Sequence, residues 1–598
     1  MNKIRVASLC TLVPAGLFSL LCVHFCADVS FAAFPLGALF SAAAAFFLFV
    51  RVVLRRDFSA VPAARKLLQY LPFALLAAFI LRRAGRLGTA YWYDVVTVLL
   101  WCAVFVASLA TLFFLNPKRI LSVVPEWQEA ADRQSEKAGR KKGAFVTPGV
   151  SARRVALEVL DWVDALVQAV FMVLLIQIFI LQLYVIPSES MVPAFLVNDR
   201  VVVFKTASGP KFPLSDVGLP CLRKYSRGDV VVFRNPHYSL DRRSEVRTVV
   251  SQILYMLTFT GVNLNVDASG QPKADPLVKR ICGVPGEQLV MQDGILYART
   301  ADSDGFAPVR LDEKFAAWNL NTVPAAVLRG IQHLPLSQSD YEAVLAVEAE
   351  RRALDWSAAA AECREIAAAF QKLHSAAHCQ AAADFGGPGA RSAAEVPLFE
   401  YALFHDNADN TLALLAADDG ADWFSAFMTE WADGMAAAEA AFSDDMYAAA
   451  NYALNLMIKR CVGRLFVRNA ELYAQGAAPA QWGADDAVFD ALSEAERLNF
   501  YLLILDQRNM PVFPADDADG NPCFIPEGKY FMMGDNRFNS LDMRHSYSQR
   551  IVPLTERDAY SVTYYSNMEQ RLVSEKYILG SAVYRFWPLS RHGVVKTK

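Results

Sequence analysis

The sequence is poor in charge, since only 20% of its 598 residues are Asp, Glu, Lys or Arg while 54% are hydrophobic. The formal net charge is −3, so the clustered basic face of a nucleic-acid-binding protein is not indicated. The mean hydropathy of +0.23 is high for a soluble protein, and the apolar excess lies in the first third of the chain. This distribution predicts membrane spans followed by a soluble part, and the length allows more than one domain.

The ten cysteines lack the spacing of a metal site. No Cys-x-x-Cys and no Cys/His ligand pattern occurs, so we expect no metal ion, and nothing in the sequence implies an organic cofactor. Cys363 and Cys379 can form a disulfide if they face an oxidising space, and free buried thiols are the alternative. The cysteines are Cys10, Cys22, Cys26, Cys102, Cys221, Cys282, Cys363, Cys379, Cys461 and Cys523.

Five apolar stretches precede residue 186 and predict transmembrane helices, because about 20 apolar residues cross the hydrocarbon core. They lie near 6–27, 31–50, 67–81, 93–115 and 164–184. The third is short and can instead be re-entrant. The start of the chain also has the basic tip and apolar run of a signal peptide, but the later spans favour an uncleaved anchor.

The distribution of Lys and Arg predicts the orientation, because cytoplasmic loops carry an excess of basic residues. With five spans, three basic groups are cytoplasmic and the chain after Tyr184 is extracytoplasmic. One loop, with Arg82, Arg83 and Arg86, disagrees. The three groups are Lys3 and Arg5; Arg51, Arg55, Arg56, Arg65 and Lys66; and Lys118, Arg119, Lys137, Arg140, Lys141, Lys142, Arg153 and Arg154.

Four short blocks after the fifth span carry candidate chemistry. The first is Ser-Glu-Ser-Met-Val-Pro at 188–193, a turn or extended segment between prolines. The second is Arg-Gly-Asp-Val-Val-Val-Phe at 227–233, a turn followed by a β-branched strand. The third is Val-Lys-Arg-Ile-Cys-Gly-Val-Pro-Gly-Glu at 278–287, and the fourth is Met-Gly-Asp-Asn-Arg-Phe-Asn-Ser-Leu-Asp-Met-Arg at 533–544. Taken singly, each block is also an ordinary strand end or turn.

Together and in this order, the blocks closely resemble the bacterial type I signal peptidases, which are serine proteases with a Ser-Lys dyad. The resemblance covers about 185–297 and 525–590. It implies that Ser190 is the nucleophile and Lys279 the general base. It implies oxyanion-hole donors at the Ser188 hydroxyl and the Ser190 main-chain N–H. Residues that orient the base or support it from behind would be Ser540, Asp542, Arg544 and Arg280.

The chemistry of these residue types fits the implied roles. A serine hydroxyl is a weak nucleophile until a neighbouring base takes its proton. A lysine acts as a base only when it is neutral, so its pKa must fall from about 10.4 toward about 7–8, which burial among apolar side chains achieves. Relatives of the endoplasmic-reticulum kind carry histidine at this position, so Lys279 favours the bacterial or organellar type.

Three positions depart from the family's usual residues. Glu189 stands where Gly is frequent, Ala194 where Thr is common, and Met543 where Ser often precedes the arginine. None of these changes removes a catalytic group.

The family cuts signal peptides of secretory preproteins after small residues at positions −3 and −1. The resemblance therefore implies a shallow apolar pocket, for which core packing is the alternative role of each residue. An extended substrate would add as a strand beside the residues before Ser190 or Lys279. The pocket candidates are Ile186, Pro187, Met191, Phe195, Leu277 and Val278.

The stretch 298–524 is rich in alanine and acidic residues and is not covered by the resemblance. Its periodicity predicts an amphipathic helix near 340–375, opened by Ser339 and Glu342 in capping-box spacing, and another near 425–460. The aromatic residues at helical spacing predict core packing rather than ligand contacts. They are Trp423, Phe424, Phe427 and Trp431.

The predicted fold is a multi-span α-helical anchor followed by a mainly antiparallel β catalytic domain with a large α-helical insertion. We expect four transmembrane helices in 1–115, a cytoplasmic linker at 116–163 and the fifth helix at 164–184. The β domain would occupy 185–297 and 525–598, on the periplasmic or extracytoplasmic side of a bacterial inner membrane. Expected partners are signal peptides, membrane lipid and the translocation machinery, without nucleic acid.

Other functions remain open to the sequence. A dedicated processing peptidase for a narrow set of surface proteins would have the same residues. A non-catalytic membrane scaffold is disfavoured because all four polar site residues are present: Ser188, Ser190, Lys279 and Ser540. A transporter or channel is disfavoured because the polar residues within the spans form no obvious pattern beyond Gln177 and Gln182.

Overall fold

The chain folds into two compact units that alternate along the sequence. The first unit comprises Met1–Leu183, Val202–Lys224 and Tyr238–Asp275, and the second comprises Tyr184–Val201, Tyr225–His237 and Pro276–Lys598. The structure, a computed structural model, describes residues 1–23, 29–85, 89–133, 152–238, 241–257, 262, 264–266, 273, 275–387, 391–433 and 445–597. Of the basic residues used for orientation, Arg86, Lys137, Arg140, Lys141 and Lys142 lie outside the described residues, as does Cys26.

The first unit is built from apolar helices, as the composition predicts. They are α1 Asn2–Leu21, α2 Ala33–Ala44 with a π-helical continuation Ala45–Leu54, α3 Val61–Ala84, α4 Tyr91–Phe114, α5 Ile120–Val123, α6 Ala152–Phe179 and α7 Arg242–Leu257. Within the described part of the chain, five segments are long and apolar enough to cross a membrane: Asn2–Leu21, Ser30–Leu54, Phe58–Ala84, Tyr91–Phe114 and Glu158–Phe179.

The bounds of all five spans differ from the predicted ones, and the differences at the third and fifth have a structural reason. The third is a 24-residue helix rather than a 15-residue stretch, because its charged end is paired within the unit: Arg82 donates to Asp94 at 2.6 Å, and both side chains are buried. The fifth helix ends at Phe179 rather than at 184, and β1 (Leu181–Val185) takes up the remaining residues of the apolar stretch. Hydropathy cannot separate these cases, since a short apolar strand has the same composition as the end of a span.

The second unit contains a twisted antiparallel sheet. Its strands are β3 Val230–Phe233, β4 Leu277–Gly283, β9 Lys529–Met533, β12 Val573–Ser574, β13 Ile578–Trp587 and β14 Gly593–Val594. They lie in the order β13-β3-β4-β9-β12, with β14 beside β13. All four residues of β3 are buried, which suits its β-branched valines. Strand β2 (Arg200–Phe204), like β1, has residues assigned to each of the two units.

Two smaller sheets complete the β structure. One has the order β7-β6-β5-β8, from β5 Glu287–Gln292, β6 Ile295–Thr300, β7 Ala307–Pro308 and β8 Met510–Phe513. The other pairs β10 His545–Pro553 with β11 Thr563–Met568. Because β6, β7 and β8 belong to a sheet, the helical insertion is narrower than 298–524 and lies between Arg310 and Arg508.

The insertion is helical, as predicted. Its helices are α8 Arg310–Phe315, α9 Ala325–Leu328, α10 Gln338–Arg352, α11 Trp356–Phe385, α12 Glu400–His405, α13 Asn407–Ala416, α14 Gly420–Asp433, α15 Met446–Ala474, α16 Asp486–Leu503 and α17 Leu505–Arg508. Helices α10 to α17 contribute to one hydrophobic core that contains Trp423, Phe424, Phe427 and Trp431, each at most 8% exposed.

The predicted start of the first long helix in the insertion is wrong by two residues. The N-cap of α10 is Ser337, and its capping box is completed by Asp340, not by Ser339 and Glu342. The predicted single helix 340–375 is also divided, because Asp355 caps a new helix through the Ala358 N–H. Ser337 and Ser339 are each followed three positions later by an acidic residue, so the sequence pattern alone cannot decide which serine is the N-cap.

The disulfide between Cys363 and Cys379 does not form, and both thiols are free. The two residues lie on the same helix, α11. At 1.5 Å per residue, sixteen positions separate them by about 24 Å, far beyond the reach of a disulfide.

Candidate active site

A loop of the second unit presents the two serines of the first motif. We call Ile186–Asp199 the serine loop. Its ends are joined by main-chain hydrogen bonds from the Ile186 N–H to the Asp199 oxygen, at 2.9 Å, and from the Asn198 N–H to the Ile186 oxygen, at 2.8 Å. The buried carboxylate of Asp199 accepts from the Leu196 N–H at 2.9 Å and pairs with Arg591 at 3.1 Å. The loop is therefore closed and anchored at its base.

Within this loop, Ser190 meets a buried lysine. Lys279 donates from Nζ to Oγ of Ser190 at 2.6 Å, and Lys279 is only 3% exposed. Ser188 is exposed, and its Oγ lies 3.4 Å from Oγ of Ser190. The structure thus brings together three residues from sequence blocks about ninety positions apart, in the arrangement of a nucleophile, a base and a nearby hydroxyl donor.

The burial of Lys279 results from its position in the large sheet. It lies on β4 opposite Val231 of β3, and the pairing of β4 with β9 begins at the next residue, Arg280. Burial lowers the pKa of Lys279 to about 8; the carboxylates of Asp542 and Asp535 raise it in part, and Arg544 lowers it. A lysine with this pKa is substantially neutral in mildly alkaline solution, as a general base requires.

Arg280, the next residue, is held by an ion pair behind the site. Its guanidinium donates to both carboxylate oxygens of Asp535, at 2.8 and 2.7 Å, and both side chains are 2% exposed. A third nitrogen donates to the Gly228 oxygen at 2.8 Å, and the guanidinium lies over the ring of Phe315 at 3.7 Å. Arg280 points away from the reacting groups and fixes β4 to the Gly-Asp-Asn turn.

Asp542 and Arg544 form a second buried pair. Two nitrogens of Arg544 donate to the Asp542 carboxylate at 2.8 and 3.0 Å, and the Gly534 N–H donates to the same carboxylate at 2.9 Å. Arg544 and the Gly534 N–H hold the pKa of Asp542 far below its usual range despite its burial. Asp542 therefore stays ionised near Lys279, with the charge of Arg544 beside it, and its bond to the Gly534 N–H fixes the turn that starts there.

Ser540 does not make the hydrogen bond to Lys279 that the resemblance implies. Its Oγ is buried and has no hydrogen-bond partner among the described residues. It packs instead against Gly534, where a Cβ would clash with Oγ of Ser540 and with the main-chain oxygen of Ser190. The glycine therefore allows Ser540 and the serine loop to approach the same turn from two sides.

The sequence reading assigned no role to Asn536, yet this residue holds the serine loop directly. Its main-chain N–H donates to the Ser190 oxygen at 3.2 Å, and its side-chain amide donates to the Glu189 oxygen at 3.1 Å. Asn536 is fully buried. In the sequence, Gly-Asp-Asn is an ordinary turn signal, and only its place within the fourth block suggests more.

The predicted pocket residues divide by exposure. Ile186, Met191 and Phe195 are at most 2% exposed, Leu277 and Val278 are half-buried, and Pro187 is exposed. Strand β4 pairs with β3 from Leu277 onward but with β9 only from Arg280 onward. No cluster of His, Cys, Asp and Glu suited to a metal ion occurs in the parts of the chain that are described.

Comparison with protein families matches much of the chain. A family model described as signal peptidase, peptidase S26, matches residues 159–410 and 457–587, which is more than half of the chain. The matched segments include the three residues at the centre of the site and extend into the insertion, beyond the part covered by the sequence motifs.

Curated proteins match over shorter segments. The chain is 37% identical over 71 residues to signal peptidase I of Buchnera aphidicola subsp. Schizaphis graminum, which is 12% of this chain and 23% of that protein. It is 26% identical over 159 residues to signal peptidase I of Haemophilus influenzae, which is 26% of this chain and 43% of that protein. The chain thus spans less than half the length of these curated relatives. No solved structure matches it at a significant level.

Proposed function

The chain belongs to the signal peptidase family, peptidase S26, and from this membership we propose that it is a membrane-bound serine endopeptidase that removes signal peptides from exported preproteins. Ser190 is the nucleophile and Lys279 the general base. The observation that carries the proposal is the 2.6 Å contact from Lys279 Nζ to Ser190 Oγ. Burial lowers the pKa of this lysine to about 8.

In the first half of the reaction, neutral Lys279 accepts the hydroxyl proton of Ser190 while Oγ attacks the scissile carbonyl carbon. The carbonyl oxygen becomes an oxyanion, which accepts hydrogen bonds from the Ser188 hydroxyl and the Ser190 main-chain N–H. Lys279, now an ammonium, gives its proton to the leaving amine as the peptide bond breaks. The products are an ester on Ser190 and the free amino terminus of the mature protein.

In the second half, neutral Lys279 takes a proton from a water molecule, which attacks the ester carbonyl. The same donors stabilise the second oxyanion, and the lysine returns the proton to Oγ of Ser190. The signal peptide leaves with a new carboxylate, and the site is restored. Each proton passes through one nitrogen, which explains why the nitrogen must be buried, neutral and within hydrogen-bonding distance of Ser190.

The substrate is an extended peptide with small residues at positions −3 and −1. It lies as an added strand beside Leu277 and Val278, where β4 has β3 on one side and its pairing with β9 has not begun. The half-buried Leu277 and Val278 line the pocket for small side chains, while Ile186, Met191 and Phe195, at most 2% exposed, pack beneath it.

The membrane anchor explains where the catalytic site meets its substrate. The basic residues predict cytoplasmic loops between the second and third and between the fourth and fifth spans, which leaves the serine loop extracytoplasmic at the inner membrane. Only eight residues of chain separate the end of α6 at Phe179 from Ser188, and ten separate it from Ser190. Membrane lipid and the translocation machinery are therefore the expected neighbours of the protein.

The test is cleavage of a preprotein with an Ala-x-Ala site by the detergent-solubilised full chain. Wild type should cut after the second alanine, and Ser190→Ala and Lys279→Ala should abolish the product. The matched controls are Ser375→Ala and Lys372→Ala, since both residues are exposed on α11, and both variants should cleave normally. Wild type that leaves several such preproteins uncut, or full activity in either site variant, contradicts the proposal and favours a narrow processing peptidase or a scaffold.

A further inference from the structure

The segment Ala317–His333 follows α8 near the start of the insertion, and we call it the strap. It contains a short 3-10 turn, Leu320–Thr322, and the single-turn helix α9. None of the four sequence motifs includes any part of it. At both ends, however, main-chain groups of the strap form hydrogen bonds with residues that adjoin or support the catalytic pair.

The first end of the strap is joined to the Gly-Asp-Asn turn. The Ala317 N–H donates to the Asp535 oxygen at 2.7 Å, and the Arg537 N–H donates to the Ala317 oxygen at 3.2 Å. The side chain of the same Asp535 holds Arg280, which adjoins Lys279 in β4. This end is therefore connected, through one buried ion pair, to the strand that carries the base.

The second end is joined to the serine loop through Glu189. One carboxylate oxygen accepts from the Gln332 N–H at 2.5 Å and the other from the His333 N–H at 3.1 Å. Consecutive main-chain N–H groups that point the same way form a concavity for an anion, and charge-assisted hydrogen bonds are stronger than neutral ones. Glu189 is 7% exposed and stands between Ser188 and Ser190.

Between its ends the strap packs on the serine loop through apolar contacts. Val192 and Leu196 of the loop are buried with Leu320, and Val327 and Ile331 pack against them. Gly330 lies so close that a Cβ there would clash with the Leu196 side chain. The strap thus follows the loop along its length.

We propose that the strap sets the distance between Lys279 and Ser190, and that Glu189 is the positioning residue that couples the serine loop to it. The proposal rests on the proposed peptidase function and concerns the same site. A nucleophile must be held to within about 0.5 Å, and a loop achieves this only with external support. The strap supplies that support, because one end is fixed beside Arg280 and the other beside Ser190.

The test uses the solubilised full chain with the Ala-x-Ala preprotein. Glu189→Ala should lower kcat about tenfold to hundredfold, since a displacement of about 1 Å costs up to about 10²-fold, while KM changes by less than about twofold. Glu189→Gln keeps one acceptor oxygen and should give an intermediate kcat. Hydrogen exchange of the Gln332 and His333 amides should be accelerated by Glu189→Ala, a direct sign that the two N–H groups have lost their acceptor.

A second variant approaches the strap from its other contact. Gly330→Val should displace the strap from Leu196 without touching Glu189 and should lower kcat in the same range. The double variant should be no slower than the slower single variant, because both act through one element. Glu342→Ala is the control, since this glutamate is exposed on α10 and its loss should change neither kinetics nor exchange.

The outcomes separate the two proposals. If wild type cleaves and Glu189→Ala has the wild-type kcat, or if exchange at Gln332 and His333 is unchanged, the strap inference is overturned and the peptidase function stands. If effects of Glu189→Ala and Gly330→Val multiply fully, the shared element is refuted. If wild type does not cleave at all, the peptidase function fails and the positioning role fails with it.

Discussion

The amine nitrogen of Lys279 lies 2.6 Å from the hydroxyl oxygen of Ser190, although the lysine is 3% exposed. A buried ammonium is costly, and burial accordingly lowers the pKa of Lys279 to about 8. The contact joins a strand in the centre of a sheet to a loop whose own sequence contains no base. Function in this protein therefore depends on how firmly the strand and the loop are held together.

The pH dependence of cleavage should follow the protonation of Lys279. The lysine acts when neutral, so kcat/KM should rise about tenfold per pH unit below an apparent pKa of about 8 and level off above it. The measurement is kcat/KM for the Ala-x-Ala preprotein from pH 6 to 10. A rise that continues to pH 10 without levelling off, as the ordinary lysine pKa of about 10.4 predicts, would contradict the role of burial.

Substitution of Ser188 should weaken the reaction without abolishing it. Ser188→Ala removes one oxyanion donor and leaves the Ser190 N–H, so kcat should fall about 10²–10³-fold with little change in KM. Ser188→Thr keeps a hydroxyl at the same position and is the matched comparison. Steady-state kinetics decide the point, because equal kcat in the alanine variant and wild type would exclude Ser188 from the oxyanion hole.

Gly534→Ala should damage activity more than stability. A Cβ at this position would clash with the main-chain oxygen of Ser190 and the Oγ of Ser540, so the serine loop must move. We expect kcat to fall about 10²-fold. Adding Ser540→Ala removes only the clash with Oγ, because the Cβ of Ser540 and the main-chain oxygen of Ser190 remain too close, and it should restore activity only in small part. Full recovery in the double variant would show that the clash with Ser190 is unimportant.

The Arg280–Asp535 pair should contribute mainly to stability. Arg280→Met or Asp535→Asn alone leaves a buried charge without its partner and should lower the free energy of unfolding by about 3–5 kcal/mol. The double variant should regain much of this loss, because no charge then remains unpaired. Urea unfolding followed by tryptophan fluorescence provides the comparison, and a double variant as unstable as the two losses added together would disprove the pairing.

The sequence predicts the identity of the site residues better than their surroundings. Ser190 and Lys279 stand in recognisable blocks, and the β-branched run at 230–232 correctly indicates a strand. The pKa of Lys279 also depends on the carboxylates of Asp542 and Asp535, which partly offset the effect of burial and lie more than 250 positions away. Periodicity and spacing carry no information about such distant neighbours.

Glu189 shows the same limit more sharply. In the sequence it is a departure from the usual glycine and has no visible purpose. Its partners are main-chain N–H groups 143 and 144 positions away, and a main-chain donor leaves no trace in residue type. The motif could therefore locate Glu189 but could not reveal what it binds.

The placement of β8 has a consequence for how the chain folds. Strands β7 and β8, which bracket the insertion, are the two edges of one four-stranded sheet, so the ends of some two hundred residues lie about 14 Å apart at strand spacings of about 4.8 Å. The entropic cost of closing a flexible loop grows only logarithmically, by about 0.6 kcal/mol for each doubling of length. Lengthening this connection over evolutionary time would therefore have cost the sheet little, and the insertion could acquire its own core while the strands kept their register.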